Sequence, residues 1–207
     1  RVNRIDAHSD HLYYEKREEL SLKDNMPQVN GIKNAIFVGA HLSWNDSLVS
    51  DMDKFCEMYD CVVIGDLTSN YKGKYFVPAS LITHQKYNRA QCINIDLLIH
   101  MGDTSGAYIN FNAKEVWRVC SDGKVCDTYR KLRYVFEMDE SEFFERYTKS
   151  DKEKKNISFY TEWRSEYDKL QSRIEKIPFS NIYVASVLSK KIPAESVLHL
   201  GILNSLR

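Results

Sequence analysis

Apolar residues in this chain gather in short unbroken runs rather than alternating with polar ones. Four of these runs close on a glycine: Ala35–Gly39, Cys61–Gly65, Leu97–Gly102 and Val197–Gly201. Unbroken runs of Val, Ile and Leu at this length suit strands buried on both faces. A closing glycine lets the backbone turn sharply out of the strand. Helical spacings lie between the runs. Leu48, Met52, Phe55 and Tyr59 recur every three or four residues behind Asn45 or Asp46 as the cap, and Pro78–Thr83 reads as a short helix. The unit strand, glycine, helix, strand predicts a parallel α/β sheet over residues 32–148 with helices on both faces. Ile36, Val38, Val62, Ile64, Leu98 and Ile99 are its expected buried strand residues, and ligands are expected at the carboxyl ends of the strands.

Two further strands are predicted at Glu115–Cys120 and Arg133–Glu137. Asp139 and Glu142 have the spacing of a capping box, opening a helix that carries Phe143, Phe144 and Tyr147. Phe159, Tyr160, Trp163, Tyr167, Leu170 and Ile174 mark an amphipathic helix ended by Pro178. Ile182, Ala185 and Leu188 mark another, stopped before Pro193. The expected organisation is an entering linker at 1–31, which carries the charge cluster Glu15-Lys16-Arg17-Glu18-Glu19. A central domain follows at 32–148, a helical connector at 149–177, and the start of a further domain at 178–207. The chain opens on Arg1 and closes on Arg207, just past an expected strand, which reads as a piece of a longer polypeptide.

Charge narrows the classes of partner. Lys plus Arg and Asp plus Glu both number 29, so no net field recruits nucleic acid or an anionic membrane. No apolar run approaches the length of about 18 residues that spans a bilayer, and no signal-peptide pattern opens the chain. Five cysteines, an odd number, point to a reducing, cytoplasmic setting. Cys120 and Cys126 flank the turn signal Asp122-Gly123 and could approach each other, but their spacing is a weak zinc signal and no metal site is expected.

The candidate chemistry sits in two loops at strand ends. Gly65–Lys74 supplies Asp66, Thr68, Ser69 and Asn70, and reads either as a site-lining loop or as a solvated one. In Gly102-Asp103-Thr104-Ser105-Gly106, glycines bracket small polar residues whose backbone N–H groups can face a ligand; a plain loop is the alternative. Gly39-Ala40-His41 lacks the further glycines of a dinucleotide fingerprint and reads first as a structural turn. His100 and His199 fall within apolar runs and read as core histidines. No nucleophile elbow, phosphate-loop lysine or paired carboxylates appear, so no catalytic residue is assigned.

In order and spacing, AIFVGAH, CVVIGDLTSNYKGK, IDLLIHMGDTSGAYINF and EVWRVCSDG resemble the middle domain of thiamine-diphosphate-dependent enzymes, over about half the chain. The nearest type is the SEPHCHC synthase of the menaquinone pathway. The resemblance implies a Rossmann-like, doubly wound parallel sheet in the central domain, followed by a helical connector. Residues 178–207 are then the truncated start of the cofactor-binding, C-terminal domain. There the synthases have Asn-Ser after a strand-ending glycine, and shortly afterwards an arginine that contacts substrate. Here Gly201 is followed by Asn204-Ser205 and Arg207; the arginine keeps its spacing and the Asn-Ser pair has moved. The synthases also carry a Lys-Arg pair where this chain has Ala107-Tyr108, and alanine with tyrosine cannot clamp a carboxylate bidentately. The resemblance then implies a different or less anionic substrate.

The function implied is that of a carboligase or decarboxylase, a transferase-type activity on a 2-oxo acid. Thiamine diphosphate and magnesium would serve the full-length parent, with none expected in this piece, which is not itself catalytic. The partners implied are the missing N- and C-terminal domains of the same chain and a homo-oligomer, dimer or tetramer. The expected pocket residues are Asp66, Thr68, Ser69, Asn70, Gly102, Asp103, Thr104, Ser105, Asn204, Ser205 and Arg207. The other readings are a stand-alone dinucleotide-type binding module and a non-catalytic scaffold.

Overall fold

The computed structural model describes residues 1–7, 14–20, 26–41, 43–85, 90–106, 109–149, 153, 155–174 and 178–199. Three of the glycine-ended runs are strands: β3 (Asn34–Val38), β4 (Cys61–Gly65) and β6 (Asn94–Met101). With β5 (Phe76–Pro78), β7 (Asn112–Val119) and β8 (Leu132–Phe136) they form a parallel array in the order β5-β4-β3-β6-β7-β8. The order of connection reverses between β3 and β6. In open α/β sheets ligands bind outside the carboxyl ends of strands at such a reversal.

Side chains alternate between the two faces, as the pleat requires. On one face Ile36, Val38, Val63, Ile99, Trp117 and Phe136 pack with α1 (Asp46–Tyr59) and α3 (Glu140–Thr148). On the other, Ala35, Phe37, Val62, Ile64, Leu98 and Val135 meet α2 (Ser80–Thr83) and α4 (Ser158–Ile174). The strand residues named from the sequence are all fully buried. The helix starts follow their predicted chemistry in part. Asn45 Oδ1 accepts from Leu48 N at 2.7 Å and Asp139 Oδ1 from Ser141 N at 2.8 Å, while Glu142 pairs with Arg146 instead of closing a capping box. No helix of the described residues is long and apolar enough to cross a membrane.

Two expectations are corrected, at the start of the chain and near its end. Residues 1–31 are not all linker: β1 (Val2–Ala7) pairs antiparallel with β8 and with β2 (Tyr14–Leu20), which makes the sheet mixed. Val2 and Ile5 are buried, and the charged residues between and after them masked a strand at the margin of the sheet. As the two further predicted strands implied, the strand–helix alternation stops after β6. Among the described residues no helix joins β6 to β7 or β7 to β8, and their faces are covered by α3 and α4 from downstream. The expected amphipathic helix is α4, and its Phe159 and Trp163 are fully buried against the second face. Finally, Val197 and Leu198 belong to no strand and are exposed, as is His199; an apolar run without a neighbouring strand has nothing to complete its hydrogen bonds. Nor do Cys120 and Cys126 join. The five cysteines are free thiols, and these two bond separately, to Lys124 O and Thr128 Oγ1.

Candidate functional site

The reversal point is stitched shut by backbone. Gly39 N donates to Met101 O and Asp103 N to Ala40 O, both at 2.9 Å, so the exits of β3 and β6 pair as an isolated bridge. A Cβ on Gly39 would stand 1.8 Å from Asp103 O, and Gly102 has φ +75°, so these two positions require glycine for approach and for conformation. This agrees with the structural reading of Gly39.

The two candidate loops are brought together, and chiefly bind each other. Asp66 caps a short 3-10 turn at Leu67–Ser69, its Oδ1 accepting from Thr68 N at 2.8 Å and from the Thr68 hydroxyl. Its Oδ2 accepts from the Ser105 hydroxyl at 2.8 Å, and Gly106 N donates to Thr68 Oγ1 at 3.2 Å. The Ser69 hydroxyl donates to Asp66 O at 2.7 Å. Asp66 and Ser69 are buried fasteners between loops. Asn70 caps the turn in a left-handed conformation and is exposed, as is Thr104. Thr68, Gly102 and Asp103 do line a cleft. Asn204, Ser205 and Arg207 lie outside the described residues, as do Ala107 and Tyr108.

That cleft, of about 510 Å³, runs along the carboxyl ends of β3, β6 and β7 to the start of α3. Its size is that of a small-molecule site. Besides the predicted residues it is lined by His41, Arg118, Cys120, Asp122, Asp139 and Glu140. His41 Nε2 meets Glu140 Oε2 at 2.9 Å, and its ring stacks on Trp44 with centroids 4.1 Å apart. Trp44 in turn donates its indole N–H to Ser69 O at 2.8 Å. A stretch 99 residues away in sequence thus fixes the wall beside the fastened loops.

Arg118 is the feature that spacing rules passed over. It stands near the carboxyl end of β7, only 9% exposed, and its Nε and Nη1 have no hydrogen-bond partner. Leaving a buried donor of a charged group unpaired costs more than about 1–3 kcal/mol. Its charge acts on its surroundings. His100, its register neighbour on β6, is pushed down to about 3 by burial and then by Arg118, so the ring is neutral. The Asp122 carboxyl is held below its ordinary value by the Lys124 amide first, then by the Cys120 thiol, with help from Arg118. Burial pushes the Cys120 thiol up. The available signal was a cation inside an apolar strand, Trp117-Arg118-Val119, just before its end.

The cleft therefore sets a guanidinium with two unpartnered nitrogens among several carboxylates. It makes a poor cradle for thiamine diphosphate with magnesium. Asp103 and Asp122 oppose a diphosphate, and among the described residues no three metal-ligating side chains come together. Compared with known proteins, the chain matches no family model and no curated sequence.

Proposed function

We propose that this chain is the central domain of a thiamine-diphosphate-dependent carboligase or decarboxylase acting on a 2-oxo acid. It would resemble the SEPHCHC synthase type, with a different, less anionic substrate. The observation that carries the reading is the placement of the four matching motifs. They form the adjacent strands β4-β3-β6-β7 and their exit loops, one contiguous piece of the sheet rather than scattered segments. The order β5-β4-β3-β6-β7-β8, with helices on both faces, supports a Rossmann-like, doubly wound domain of the kind the resemblance implies. In this reading the cofactor and magnesium are held by the N- and C-terminal domains of the same polypeptide, and no chemical step belongs to the described residues. Their work is to hold loops 66–74 and 102–106 rigidly at the edge of the substrate pocket. Further protein is also suggested by α5 (Asn181–Ser189), where Ile182 and Leu188 are 60% and 55% exposed. The parent would act in the cytoplasm as a dimer or tetramer.

The test is to express the polypeptide with its flanking sequence and measure carbon dioxide release from a panel of 2-oxo acids, with and without thiamine diphosphate and magnesium. Cofactor-dependent turnover supports the reading; none across the panel overturns it. Within that parent, Arg207→Ala should weaken substrate use by about 1.5–3 kcal/mol, the scale of a charge-assisted hydrogen bond. Ala107→Lys with Tyr108→Arg should shift preference toward more anionic acceptors. The competing reading, a stand-alone binding module, is favoured by one observation, Arg118 in the cleft with two nitrogens lacking partners.

A further inference from the structure

We propose that the cleft at the ends of β3, β6 and β7 is a binding site for a small, singly charged carboxylate that also carries a hydroxyl or ammonium group, with its carboxylate seated on Arg118. The inference rests on the cleft alone, whether or not the chain belongs to a thiamine-diphosphate enzyme.

The charged group comes first. Arg118 is about nine-tenths buried, lines the cleft, and has two nitrogens, Nε and Nη1, without a hydrogen-bond partner. A guanidinium cannot relieve its burial by losing a proton, as a lysine can. Two donors of a charged group left unsatisfied in a protein interior are costly. Nε and Nη1 are shut off from solvent, so an oxyanion entering the cleft would answer the guanidinium's charge and reach these donors with a shift of the side chain; the planar fork matches a carboxylate. His100 beside Arg118 is neutral and adds no second charge at this strand pair.

The rim then selects among anions. Asp139 is committed to capping α3 and Glu140 to His41. Asp103 and Asp122 are exposed at the mouth of the same cleft. These carboxylates repel a ligand carrying several negative charges, and accept hydrogen bonds from a hydroxyl or an ammonium. Hydroxy acids and amino acids satisfy both ends; pyrophosphate and nucleoside diphosphates satisfy only the guanidinium.

Arginine Nε–H resonances of the 207-residue chain, followed by nuclear magnetic resonance, read the site directly. The probes are L-lactate, L-serine, acetate and pyrophosphate. L-Lactate or L-serine should shift the Arg118 signal saturably, acetate more weakly, and pyrophosphate least. Arg118→Gln should reduce binding of the best probe by about tenfold to a hundredfold. Should that variant lose its folded circular dichroism, Arg118→Lys keeps the charge, and binding should still fall because the planar fork is gone. Asp103→Asn, at an exposed position, should weaken L-lactate or L-serine but not acetate. The proposal is overturned if neither L-lactate nor L-serine moves the Arg118 signal, if pyrophosphate binds more tightly than both, or if folded Arg118 variants bind as the native chain does. None of these measurements involves thiamine diphosphate, so their failure leaves the central-domain reading to its own test.

Discussion

Removing the Asp66 side chain should separate the two loops that the sequence nominated as a pocket. Its carboxylate accepts from Thr68 N, from the Thr68 hydroxyl and, 39 residues further along the chain, from the Ser105 hydroxyl. Hydrogen bonds to a charged acceptor are each worth about 1.5–3 kcal/mol. The loss in Asp66→Ala is less than their sum, because Thr68 and Ser105 are only partly buried and regain water. A destabilisation of about 3 kcal/mol follows, which in a domain of this size lowers Tm by roughly 6–12 °C. Asp66→Asn keeps the Oδ1 acceptor and should lose only about 1 kcal/mol. Denaturant unfolding gives the free energies, and hydrogen exchange locates the damage. Protection should fall first at the Gly106 amide, whose acceptor is the Thr68 hydroxyl that Asp66 holds. A cycle with Ser105→Ala should return a coupling of about 1 kcal/mol. Stability of Asp66→Ala within about 0.5 kcal/mol of the native chain, with Gly106 still protected, would refute the fastener and return Asp66 to the ligand.

Trp163→Ala should destabilise by about 3–5 kcal/mol in urea unfolding, because a fully buried indole of α4 is lost from the second face. Trp163→Phe should cost far less, since the indole N–H it removes has no partner. His100 supplies an acid-side slope. Its folded pKa of about 3 lies below the ordinary 6.5, so between these values the unfolded chain binds more protons and stability falls as pH falls. The slope is about 1.4 kcal/mol per pH unit; unfolding measured across that window should be flatter in His100→Gln by this amount, and equal slopes would contradict a neutral, buried ring. Calorimetry of the 207-residue chain with thiamine diphosphate and magnesium should show no binding above background, and a micromolar complex would move the cofactor site into these residues.

Continuous apolar runs sufficed to locate β3, β4 and β6, because a strand flanked by strands and covered on both faces must be apolar at every position. The spacing of Leu48, Met52, Phe55 and Tyr59 located the buried stripe of α1 for an equally local reason, the helical repeat. The same logic failed where charged residues interrupt a buried strand or a neighbour is missing. β1 has buried Val2 and Ile5 among charged residues and could be known only from its pairing with β8. Val197–Leu198 is apolar enough for a strand but has no strand beside it among the described residues.

The site divides along the same line. Sequence placed the loops at strand ends, and the fold brought them together, yet it turned Asp66, Ser69 and Ser105 toward each other rather than outward. Which donor finds which acceptor depends on positions fixed by distant elements, as when Glu140 at the head of α3 reaches His41 beyond β3. Arg118 shows the limit most plainly. Its place near the end of an apolar strand could be read from the residues, but that two of its nitrogens lack partners is settled only once the neighbouring strands, helices and loops have closed around it. Local pattern determines what must be buried; tertiary structure alone decides which buried polar groups are satisfied, because hydrogen bonds require partners that one-dimensional spacing does not specify.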